Sequence, residues 1–490
     1  MNNKVHLPFW LFAFATIIAL TLSVLVQDGM FMDAVLYTSV AHNEAIGIGT
    51  FWFPQYSTLN IAGLPSFHEQ PPLVFGIVSL FFRAFGDSIY VERFYTLITL
   101  IVTMLLMRSL WNELYRNENR ERKYLWIPYV LWIAIPCVYW AYSNNMCENT
   151  MGIFAMASVL LSYKKLERPT QFSKDVWGWV ASGFFIFLAT MSKGIPAFFP
   201  ITVPFLYFLF VRRDKFAAVI VRTALLVGIP VAIYLVLFSL PVSGESLSMY
   251  LFKRALHRIN NDPTVDYRLD VLFRIFSQLI PSLIIMLIIY AVARKQKAQQ
   301  LVVVNRNALF FISVGLAASA PLMLTLVQKD IYLIPCFPYL AIGMAIIVLP
   351  AVVKWVEQLK DLKKIYKYIL ALTSTYLAVS LVVFYFGCGR VNRERETIHD
   401  VYLIGKIVPK FSTMTVPAEM YQEYNFILHG FLMRYDNISI SPKKEYEYYL
   451  VEKNMKVNIP PAYKKLSLAT QKYDLYKRQD TVGTIRNQIR

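Results

Sequence analysis

Charge is scarce in this sequence. Only 16% of its 490 residues are Asp, Glu, Lys or Arg, while 57% are hydrophobic and the mean hydropathy is +0.45. A soluble chain of this length could not hide so much apolar surface, which leaves a polytopic membrane protein as the class. Acidic residues are scarcest, 31 against 49 basic ones, for a formal charge of +18. The Lys and Arg residues lie in short clusters between apolar runs. That is the arrangement that orients membrane helices, so nucleic acid is not an expected partner. Cysteine is sparse too. Cys137, Cys147, Cys336 and Cys388 show no metal-ligand spacing, and no disulfide pairing can be deduced from them. Internal repeats and low-complexity segments are absent.

What is present is a series of apolar runs. A spanning helix needs roughly 20 mostly apolar residues, and the runs predict eleven spans: 8–26, 89–107, 124–141, 150–163, 176–192, 196–211, 222–240, 271–293, 307–327, 335–353 and 368–387. The first has Lys4 before it and no small-residue cleavage site after it, and reads as an uncleaved signal anchor. The loops sort by charge. Residues 108–123, 164–174, 212–222, 294–306 and 354–367 are basic and alternate with 142–149, 192–196, 241–270, 328–332 and the tail from Cys388. By the positive-inside rule the basic set and the N-terminus face the cytoplasm, and the other set faces outward.

The parity holds only if Pro71 to Gly86, which opens after "SFHEQPP", does not cross the membrane. It is expected to lie in the outer interface, within one long outer loop, 27–88. That loop is too aromatic and apolar for disorder. The expected fold is thus an α-helical polytopic membrane domain over 1–387, followed by an outward-facing α/β domain over 388–490. In that domain "FSTMTVPAE" and "YEYYLVEK" alternate like strands, and "PAEMYQEYNFILHGFL" is a candidate helix.

Ionisable groups beside apolar runs are default functional candidates. Asp33 and Tyr37 lie four apart and share a face if helical, with His42 following; the bland reading makes Asp33 a helix cap. His68-Glu69-Gln70-Pro71-Pro72 is either a solvated turn or part of a site, and one His-Glu pair supplies too few ligands for a metal. Lys193 in "MSKGIPAFFP" is either a snorkelling interface lysine or a cation presented by a broken helix. In "YLFKRALHRINND", Arg254, His257 and Arg258 fall on one face of a helix, on the side where cations are unexpected; an anionic headgroup or phosphate would explain them. Lys329, Asp330 and Tyr332 adjoin the same surface. Together these clusters point to an enzyme acting on a phosphorylated lipid.

The motifs resemble those of the GT-C glycosyltransferases, in particular the group of the aminoarabinose-to-lipid-A transferases and protein O-mannosyltransferases. The matching stretches are Asp33-Ala34-Val35-Leu36-Tyr37 and Glu69-Gln70-Pro71-Pro72-Leu73. "FRAFGDSIYVERFYTLI", "SKGIPAFFP", "RALHRI" and "KDIYLIPCFPYLAIG" also match, across about residues 8–350. The resemblance implies transfer of a sugar from a polyprenyl-phosphate donor to a lipid A, protein or other glycan acceptor, with inversion, on the periplasmic face of a bacterial inner membrane. It implies Asp33 as catalytic base, with Tyr37, Lys193, Arg254, Arg258 and Tyr332 around the donor phosphate. It also implies a divalent metal, zinc in the aminoarabinose branch, at Glu69 and His257. The sequence departs from the pattern where the family has a second acid (here Ala34), an Arg near Tyr37 (here Leu36) and the motif lysine (here Gln70). Two other classes compete. A lipid-linked-sugar transporter or flippase would carry paired mid-membrane charges and often an inverted repeat, and neither is seen. A dead scaffold is opposed by the intact Asp33, Glu69 and Lys193.

Overall fold

The computed structural model describes residues 3–60, 65–169, 172–212, 215–257, 263–295, 304–359, 362–422 and 426–479. Among them, eight helices are long and apolar enough to cross a membrane. These are Lys4–Leu25, Val91–Leu114, Asp175–Lys193, Phe216–Ser239, Asp270–Lys295, Arg306–Leu324, Asp330–Gln358 and Lys363–Gly387. Each coincides with an expected span. The other three expected spans fall on helices that are interrupted, shorter or more polar. Residues 124–141 form Trp126–Ile133 and Pro136–Ala141. Proline disfavours helical backbone in the residue before it, and Ile135 is extended accordingly. Residues 150–163 lie within Cys147–Glu167, which opens on a polar turn, and 196–211 fall on the 16 residues Ile195–Phe210, with Val211 just past the end.

Contacts divide the chain into two compact units. The first comprises Met1–Val26, His68–Val74 and Arg93–Cys388. Its centre is the helix Asp330–Gln358, whose most apolar stretch is 89% buried, against 11% for Asp270–Lys295 and Lys363–Gly387. Helices so apolar yet so exposed suit a lipid surround, where burial is not needed to satisfy their side chains. Asn305 caps Arg306–Ser319 by accepting from the Ala308 amide at 2.9 Å.

The second unit comprises Gln27–Phe67, Phe75–Glu92 and Gly389–Arg490. Helix Met32–Ala45 is buried from Ala34 to Glu44 and packs on helix Phe426–Asp436, where Gly430 receives Val35; a side chain at 430 would clash with it. A five-stranded sheet follows: β1 Thr413–Thr415, β2 Ser439–Ser441, β3 Tyr448–Glu452, β4 Tyr463–Lys465 and β5 Tyr473–Arg478. The order is β2-β1-β3-β5-β4, parallel among the first three and antiparallel thereafter, with Leu450 opposite Leu475. The strands fall within the two stretches whose alternation predicted them and in three further segments.

Buried charge ties this unit together. Asp28 accepts from Tyr402 and Tyr435, each at 2.5 Å, and Asp400 accepts three amides, from Gln471, Lys472 and Tyr473, at 2.6–2.8 Å. Arg434, buried in Phe426–Asp436, reaches Asp87 at 2.8 Å and Glu92 at 2.9 Å, and His42 reaches Asp87 at 2.9 Å. Desolvation pushes the Asp87 carboxyl up, but the hydrogen bond and charge of His42, with Arg434 and Lys410, outweigh it and hold the carboxyl below its ordinary value.

Helix Leu73–Phe85 is 13 residues, about 20 Å long at 1.5 Å per residue. That is short of the roughly 30 Å apolar core of a bilayer, as the interfacial placement of this segment requires.

Candidate functional site

The Lys193 region shows why local sequence matters. Helix Phe172–Lys193 ends at Gly194, whose φ of +85° and ψ of −147° only glycine adopts readily. A side chain there would also collide with the Tyr250 hydroxyl. A short 3-10 segment, Ile195–Thr202, then carries the chain onward with Pro196 in its first turn. The helix is therefore broken immediately after Lys193. Lys193 does not snorkel: its side chain is 8% exposed, and its Nζ lies 3.0 Å from a Glu148 oxygen and 5.3 Å from the centre of the Tyr332 ring. Its burial and its pairing with Glu148 set aside the snorkelling reading and leave the lysine at the end of a broken helix.

Lys193 belongs to a cavity of about 150 Å³ in the first unit, room for about five water-sized groups. Its polar lining is Glu69, Gln70, Glu148, Lys193, Tyr250, Arg254, Thr325 and Tyr332, with Met151, Ile195, Leu322 and Val327 among the apolar walls. Arg254 pairs with Glu69 at 3.0 Å, both partly exposed, whereas the Lys193–Glu148 pair is buried. Two carboxylates thus balance two cations in one pocket. Glu148 is fully buried, and its second oxygen, Oε2, accepts no hydrogen bond among the described residues.

The structure therefore brings together Glu69, Lys193, Arg254 and Tyr332, four of the residues expected at the site. It adds Glu148, which sequence reasoning passed over. Its signal was available: a carboxylate in the first turn of an apolar helix, Cys147–Glu167, costs too much to be idle. Gln70, where the family motif has lysine, lines the same cavity. His68 instead hydrogen-bonds Ser246 at 3.1 Å and is not part of the lining.

The expected helical face of Arg254, His257 and Arg258 does not form as drawn. Met249–Ala255 is π-helical and stops at Ala255, so the i, i+3, i+4 spacing no longer sets direction. Arg254 lines the cavity and His257 is exposed outside the lining; Arg258 lies outside the described residues.

Asp33 and Tyr37 belong to the second unit. The segment is helical, Met32–Ala45, but its N-cap is Phe31, so Asp33 sits in the first turn rather than capping it. Asp33 is half-buried, and among the described residues its carboxylate has neither a hydrogen bond nor an ion pair. Tyr37 is buried in an aromatic cluster, its ring 6.1 Å from Phe67 and 5.9 Å from Phe75.

A zinc site was implied at Glu69 and His257. Glu69 is engaged by Arg254 and His257 is exposed, and among the described residues no three His, Cys, Asp or Glu side chains converge. The described side chains do not assemble a metal site.

No family sequence model and no curated protein matches the chain by sequence. Solved structures do match in three dimensions. ArnT from Cupriavidus metallidurans bound to undecaprenyl phosphate superposes with a TM-score of 0.62 at 12% identity, over 97% of this chain and 98% of that one. The apo form of the same protein gives 0.58 at 12% identity, over 95% and 97%. At this identity the likeness is one of fold, and it extends nearly end to end. The chain has a GT-C fold, as its motifs led one to expect.

Proposed function

We propose that this chain is a glycosyltransferase that moves a sugar from a polyprenyl-phosphate donor to a lipid, protein or glycan acceptor at the outer face of a bacterial inner membrane. The observation that carries the reading is the cavity in which a buried Lys193 and a partly exposed Arg254 stand beside Tyr332. A pocket lined by two cations and apolar walls suits a lipid phosphate. The ArnT structure of the same fold holds undecaprenyl phosphate, which supports the same class of donor here. Residues 1–387 would form the transferase and 388–490 an outward-facing domain, with the N-terminus in the cytoplasm, as the loop charges require.

In this reading the acceptor oxygen attacks the anomeric carbon from the side opposite the phosphate. A new carbon–oxygen bond forms, the bond from that carbon to the phosphate oxygen breaks, and configuration inverts. The electron pair goes to the phosphate, where Lys193 and Arg254 stabilise the charge. An ionised phosphate is already a good leaving group, so no general acid is needed. The acceptor's proton passes to Asp33, whose uncommitted carboxylate suits a base. Tyr332, under the Lys193 ammonium, holds that cation by its ring.

Mass spectrometry of envelope lipids and glycoproteins, with and without the protein, tests the activity and identifies sugar and acceptor together. A sugar adduct that depends on the protein and on Asp33 and Lys193 is expected. Movement of a polyprenyl-phosphate sugar between leaflets without its consumption would instead establish a flippase.

A further inference from the structure

The second unit carries an apolar surface that its own core does not use. On helix Leu73–Phe85, Val78 and Phe82 turn inward, while Leu80 and Phe85 are each 60% exposed and Phe81 and Ala84 lie beside them. The outward side of this helix, from Ile77 on, is thus apolar as well, apart from the exposed Arg83, which donates to the Glu44 carbonyl. A second segment of the same unit presents a matching tip. In "KIVPKF", residues 406–411, Val408 turns inward, whereas Ile407 and Phe411 are 43% and 59% exposed and Lys406 and Lys410 are exposed. Phe411 holds φ +63°, a backbone conformation that a bulky L residue rarely adopts. The two segments are linked through helix Phe426–Asp436: Gly405, just before this tip, packs against Asp436, and Arg434 pairs at 2.8 Å with Asp87, two residues past Phe85.

We propose that residues 406–411 dock this unit onto the bilayer, with Phe411 and Ile407 entering the lipid interface alongside Leu80 and Phe85, and Lys406 and Lys410 meeting anionic phospholipid headgroups. The chemistry argues for lipid over a protein groove. Aromatic and aliphatic tips flanked by lysines are the composition that interfaces favour, the rings at headgroup depth and the ammonium groups on the phosphates. Helix Leu73–Phe85, too short to span and apolar on its outward side apart from Arg83, extends the same surface. This inference is independent of the transferase reading.

The test uses the full chain in nanodiscs. With Cys388→Ser removing the exposed thiol, an environment-sensitive fluorophore is placed at Phe411→Cys, at Ile407→Cys, and at Lys464→Cys on the exposed part of β4 as a control. The 411 and 407 probes are expected to be blue-shifted, quenched at least twofold by shallow doxyl-labelled lipid and protected from iodide, with the reverse at 464. Lipid quenching at 411 is expected to rise when phosphatidylglycerol replaces part of a neutral bilayer. Iodide quenching at 411 equal to that at 464 would overturn the proposal. So would protection that disappears at one copy per nanodisc, since a second copy would then be the cover. Lipid quenching without any response to phosphatidylglycerol would overturn the headgroup contact.

Discussion

The Lys193 Nζ sits 3.0 Å from the Glu148 carboxylate, and each residue stands at the end of a helix that favours its charge. Lys193 is the last residue of Phe172–Lys193, where the helix dipole is negative; Glu148 is the second of Cys147–Glu167, where it is positive. The pair is buried, so its members depend on each other far more than a surface pair would. A phosphate entering the cavity must share Lys193 with Glu148 or draw it away.

Removing one partner should expose that dependence. Lys193→Met strands an ionised Glu148 with no cation, which is expected to cost about 3–5 kcal/mol of stability. Lys193→Met with Glu148→Gln removes both charges and should recover most of the loss. Thermal unfolding of the purified variants in detergent measures both. A double variant as unstable as the single one would show that the pair is not the source of the cost.

The second pair gives a prediction of opposite sign. Glu69 occupies Arg254 at a partly exposed position, where such a contact contributes no more than about 1 kcal/mol. Glu69→Gln releases Arg254, so binding of undecaprenyl phosphate should tighten, by up to about fivefold. Microscale thermophoresis with the bare lipid phosphate reads this directly. Weaker binding would mean that Glu69 itself recruits the phosphate, through a metal or otherwise.

For Asp33 the expectation is loss of turnover without loss of fold. Among the described residues the carboxylate makes no hydrogen bond or ion pair that its amide would break, and a positioned base contributes about 10²–10⁴-fold. Asp33→Asn should therefore lower transfer by at least a hundredfold while leaving lipid-phosphate affinity and thermal stability near those of the parent. Retained transfer would remove Asp33 from the mechanism.

Much of this site was legible because charge was out of place. Lys193 beside Gly-Ile-Pro, and Arg254 on the face where cations are rare, draw the eye in a chain so poor in charge. Eight of the expected spans are likewise long apolar helices, since runs of that length need no partner to announce them. What stayed hidden depends on distance along the chain. Glu148 looked like part of a polar loop, "YSNNMCEN", until its partner 45 positions later closed on it. Arg434 and Asp87 lie 347 apart, and nothing local marks them as one ion pair. The helical face drawn through Arg254 and His257 failed because a π-helical segment shifts the angular spacing, which side-chain type alone does not reveal.

A last prediction concerns acid. His429 is buried in helix Phe426–Asp436, and its Nε2 finds no hydrogen-bond partner among the described residues. Burial disfavours the charged ring and lowers its pKa from 6.5 to about 4. In the unfolded chain the ring takes its proton near 6.5, so unfolding binds a proton between those values. The contribution is complete above pH 6.5 and is lost as pH falls toward 4, on the order of 3 kcal/mol in all. Hydrogen exchange of the 426–436 peptides in the full-length protein, corrected for intrinsic rates, should therefore accelerate from pH 7 to 4.5. His429→Leu should flatten that dependence, because Leu keeps the volume and has no proton to gain. The same acid response in His429→Leu would trace the loss of protection to other groups of this unit, though not to the Asp87 carboxyl, which gives up its own contribution only as pH falls below the ordinary carboxylate range.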